Sequence, residues 1–127
     1  MPVNLAPEFR PLLFGALIEA LRHAAEAVVR CGTDPADYPA ALADFDRTRA
    51  TLDAAGWGAS STIDIDPHRD VLQEALSARL GIERYLEAET GDHAEGQRQR
   101  AHKRVVEIER FMHDAGLVIP SVEDDPA

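Results

Sequence analysis

The feature that most constrains this chain is its punctuation: Gly32, Gly56 and Gly116 each close a stretch of helical periodicity, and aspartates reopen the pattern. A glycine just past a helix takes the left-handed conformation without a Cβ clash. An aspartate ahead of a helix can accept its free N–H groups, and a proline in the first helical position sacrifices no hydrogen bond. On these signals the first helix runs over roughly 9–30, and the second opens at Asp34-Pro35 and stops at about Ala55. The third opens at Asp66-Pro67 and reaches about Thr90. The fourth opens with Asp92 and Glu95, a variant of the capping box, and ends at about Ala115. The predicted fold class is all-α, a four-helix bundle.

The links set the topology. "CGTD" and the turn around "GDH" are short, so helices 1 and 2, and helices 3 and 4, should be antiparallel neighbours. The link "GWGASSTIDID", residues 56–66, reaches about 35 Å when extended, which is the length of a twenty-residue helix or more. An up-and-down bundle is the preferred reading, with a crossover between helices 2 and 3 as the alternative. With 127 residues the chain suits one domain, read as residues 1–119, followed by an acidic flexible tail over 120–127.

Two helices carry more apolar surface than one side of a bundle needs. The first confines its polar groups to a stripe of Glu19, Arg22, His23, Glu26 and Arg30. The third adds Leu72, Leu76 and Leu80 to a line of Val71, Ala75, Ile82 and Leu86. A wide apolar face implies a central helix or one shared with another subunit, which points to a homodimer. Two arginines interrupt apolar lines: Arg49, between Asp46 and Asp53, and Arg79, one turn before Glu83. A core-facing arginine must be paired. The structural reading is intrahelical ion pairs. The functional reading is a pocket in which Arg49 and Arg79, flanked by Asp46, Asp53 and Glu83, grip an anionic ligand.

"RQRAHKR", residues 98–104, is a knot of positive charge in a chain of net charge −10. Folding helices 3 and 4 about their turn sets Glu89 against Arg98, Glu87 against Arg100 and Glu83 against Arg104. Structural pairing therefore explains the knot better than nucleic-acid contact, which the acidic mean field opposes. Arg100, Lys103 and Arg104 remain candidates for an interaction surface, with Leu80 and with Trp57. That tryptophan is expected to fold back on Leu52 or to serve as a binding anchor.

Familiar chemistry has little to stand on. Cys31 is the single cysteine, so no internal disulfide or cysteine-based zinc site forms, and the thiol is expected to face the core. No Glu-x-x-His is present. His102, Glu109 and His113 share a flank of the fourth helix and form the one weak metal candidate. There is no glycine-rich phosphate loop, no cofactor is implied, and the N-terminus lacks a signal-peptide pattern. The polar residues within the longest apolar stretch exclude a membrane span. The combined expectation is a cytoplasmic, non-catalytic protein-interaction or regulatory bundle whose partners are itself, as a homodimer, and another protein. Its rivals are a bundle binding a small anion or a metal, with or without enzymatic activity, and a nucleic-acid-binding bundle.

Overall fold

The computed structural model describes residues 2–32, 34–89 and 94–121. In chain order they form β1 (Pro2–Asn4), α1 (Arg10–Cys31), α2 (Tyr38–Ala54), β2 (Thr62–Asp64), α3 (Arg69–Glu87) and α4 (Glu95–Asp114). Helix packing gives the all-α bundle, chiefly α1 on α2, α3 on α4 and α1 on α3. Among the described residues no helix is long and apolar enough to cross a membrane.

The bundle is up-and-down, and two small strands show why no crossover forms. β2 lies in the long link and pairs antiparallel with β1, with Pro2 opposite Asp64, Val3 opposite Ile63 and Asn4 opposite Thr62. The Leu5 N–H extends the ladder by donating to the Ser61 carbonyl at 2.7 Å. The link is thereby held at the end of the bundle where α1 begins, and α3 starts from that same end. The Thr51 hydroxyl lies 3.0 Å from His68 Nδ1 and ties the last turns of α2 to the residue preceding α3. Ile63 and Ile65 are buried, while Thr62, Asp64 and Asp66 between and beside them are exposed, a period of two that seats one strand face on the core. Leu5, Phe9 and Leu117 close this end of the core, and Phe9 stacks on Phe111 at 4.6 Å.

The caps follow the sequence in part. The Asp34 carboxylate accepts the Ala36 N–H at 2.9 Å, as a cap should, although the regular helix begins only at Tyr38. Asp66 does not cap α3 with its side chain. Pro67 sits in a short 3₁₀ turn, and the Asp66 carboxylate pairs with Arg69 at 3.2 Å instead. α3 stops at Glu87, short of the predicted Thr90, and the Asp92 cap lies outside the described residues. Cys31 is half-buried at the end of α1 and does not face the core.

Beyond α4 the chain turns at Gly116 and runs back along α3. The Gln73 amide clasps Val118 on both sides, donating to its carbonyl and accepting from its N–H, each at 2.7 Å. Arg69 donates to the Gly116 carbonyl at 3.0 Å and Arg84 to that of Pro120 at 2.6 Å. Leu117 is buried and Ile119 packs against the core. Most of the predicted tail, residues 122–127, lies outside the described residues.

Candidate functional site

α3 carries two apolar rows at helical spacing. The inner row, Leu72, Leu76 and Leu80, is fully buried and continues into Glu83, a carboxylate only 1% exposed. The outer row is Val71, Ala75, Ala78, Ile82 and Tyr85, alternating steps of four and three residues. That is the spacing a helix uses to receive a second helix by knobs-into-holes packing. Within the chain this row is only partly covered. Ala75 is buried, but Ile82 is 51% exposed and Tyr85 71% exposed.

From Val71 to Ile82 the outer row forms one wall of a cleft of about 830 Å³ bounded by α1, α2 and α3. Its opposite wall is α1, which presents Ala16, Ala20, Ala24 and Ala27. Ala16 and Ala75 are the buried members of its lining and make the floor. Towards the far ends of α1 and α3 the alanines leave the gap unfilled, because a methyl group cannot reach across. The cleft spans Asp70 to Ile82, about 18 Å of helix.

Charged groups rim this trough. On α1, Glu19 accepts from Arg22 and lies 3.3 Å from His23. The hydrogen bond from Arg22 is the main cause holding the Glu19 carboxyl below its ordinary value of 4.5. Glu19 is therefore ionised throughout the neutral range, and any stability its charge lends is lost only as pH falls through the lowered value. On α2, Arg47 pairs with Asp44. On α3, the Arg79 Nε donates to Glu83 at 3.1 Å, and the other Glu83 oxygen accepts from Arg104 of α4 at 2.6 Å. Asp70 and Glu74 are exposed one turn apart on the α3 rim, and neither has an ion-pair or hydrogen-bond partner among the described residues. Like charges at this spacing repel slightly.

The residues singled out in the sequence fall into separate places. Arg49 is exposed and does not meet Arg79, because the buried side of α2 runs through Ala41, Thr48 and Thr51, not along the line containing Arg49. Arg47 is the α2 arginine that reaches the cleft. Asp46 is exposed, and Asp53 accepts the Trp57 indole N–H at 2.8 Å. Trp57 is 50% exposed and leans on Phe14. Leu80 is in the core, so its apolar surface is spent inside the molecule, and Ile82, expected inside, is the exposed neighbour.

The basic knot resolves mostly into structure. Arg104 is held by Glu83, as the hairpin register requires. Arg98 finds the Glu89 backbone carbonyl at 2.6 Å, not its carboxylate, and Glu87 pairs with His102 at 2.5 Å in place of Arg100. Arg100 and Lys103 stay exposed on the outer face of α4. The metal candidates disperse: Glu109 binds Arg84 at 3.1 Å, and exposed His113 sits near Asp114. Among the described residues no three histidine, cysteine or acidic groups gather as a metal site would need. No family model matches the sequence, and neither a curated protein nor a solved structure matches the chain.

Proposed function

We propose that this protein is a non-catalytic interaction module whose cleft between α1, α2 and α3 receives a helix. The observation that carries this reading is the outer row of α3. Its steps of four and three residues are those of a helix-packing seam, and its distal residues, Ile82 and Tyr85, stand exposed beside a trough lined by alanine. Small side chains on α1 allow close backbone approach, and a trough about 18 Å long fits three turns of helix better than a compact ligand. The cleft arginines support the same reading over an anion pocket, since each is engaged by a carboxylate. A homodimer sharing this seam is the second reading, favoured by the exposed apolar side chains of Ile82 and Tyr85 at the distal end of the row.

Selection from a displayed library of amphipathic helices, on the intact protein, tests the proposal. Binders are expected to compete with one another, to lose affinity on Ala78→Trp, which fills the trough, and to tolerate Arg49→Glu on the far side of α2. Helical binders indifferent to Ala78→Trp would place the recognition surface elsewhere.

A further inference from the structure

We infer that the helix received by the cleft belongs to a different protein and carries lysine or arginine along its edges. The inference rests on the helix-receiving reading and adds the charge and identity of the occupant. Asp70 and Glu74 stand one turn apart on the α3 rim without a cation, while the arginines of the cleft are committed to Asp44 and Glu83. Uncompensated charge at the rim is thus negative, and a cation on the edge of an incoming helix would relieve the repulsion between the two carboxylates. The field of the whole chain, at −10, draws in a basic partner and repels a second copy. Nor does the chain offer itself a matching helix. Its one basic helical run, 98–104, has Ala101 buried, and Val105 just beyond it is buried too, so the apolar side of that run is already used.

The test uses two synthetic amphipathic peptides of roughly three heptads, with identical apolar seams, one edged with lysine and the other with glutamate. Fluorescence anisotropy against the intact protein should show the lysine peptide binding at least about tenfold more tightly, with affinity falling as salt rises. Asp70→Asn with Glu74→Gln should remove most of that preference, and Ala78→Trp or Ile82→Glu should remove binding; all four positions are exposed at the rim or wall, Ile82 by 51%, so folding should persist. Asp37→Asn with Asp46→Asn, which neutralises two acids elsewhere, should change little. An equal loss from that control pair would reduce the effect to general attraction and overturn the inference. Equal binding of both peptides, still abolished by Ala78→Trp, would overturn the charge assignment and leave the helix-receiving reading intact. If neither peptide binds and sedimentation shows a dimer that Ala78→Trp dissociates, a second copy fills the cleft and the inference falls alone. If neither peptide binds and the chain is a monomer, both fall together.

Discussion

Gly56, Trp57 and Gly58 all take positive φ, at 61°, 53° and 91°, and only the glycines do so freely. For tryptophan the left-handed conformation costs on the order of 1 kcal/mol, offset by the indole hydrogen bond to Asp53 and the contact with Phe14. A Cβ on Gly56 would lie 2.3 Å from the Ser60 hydroxyl, whereas one on Gly81 would meet nothing within 4 Å. Gly56→Ala should therefore lower stability by about 1–2 kcal/mol, while Gly81→Ala, in an exposed helix interior, should raise it by about 0.5–1 kcal/mol. Urea unfolding of the two variants measures both. Glu83 makes a sharper case, because it is the single carboxylate between two arginines that reach solvent only in part. Glu83→Gln should cost on the order of 3 kcal/mol, since it leaves two cations facing a neutral amide. The Glu83–Arg104 pair was legible in the sequence because a hairpin register fixes which residues share a level. Arg49 was misplaced because one residue of rotation about α2 separates its buried face from its exposed one.

At the level of elements, the helices were readable from glycine stops and apolar spacing, and the strands were not. Yet "STIDID" alternates apolar and polar residues, and Val3 and Leu5 do the same at the N-terminus. Each run is too short to stand out from a linker, and their pairing joins residues about sixty apart, which local pattern cannot reveal. The C-terminal strap is hidden for a related reason: it is held by α3 side chains on backbone groups, and backbone groups carry no sequence signature. Gln73→Ala removes two hydrogen bonds to Val118 and should cost about 1–2 kcal/mol locally. Hydrogen exchange at the Val118 amide should speed up markedly, with the α1 and α2 amides unchanged; a uniform change would mean that the strap unfolds only with the whole bundle.

For the whole molecule, the excess apolar width of helices 1 and 3 was the informative signal. The structure divides it: one row of α3 fills the core, and the other, together with the alanines of α1, walls the cleft. The sequence could not show that division, because Leu80 and Ile82 differ only in the direction they leave the helix. The two helical hairpins are joined at one end by the Phe9–Phe111 stack and leave a cleft between α1, α2 and α3, which in the proposed reading a partner helix fills. The most direct measurement is hydrogen–deuterium exchange of the intact protein with and without the lysine-edged peptide. Protection confined to α1 over 16–27 and α3 over 71–85 is the predicted result. Protection centred on the outer face of α4, or none on either wall of the cleft, would contradict it.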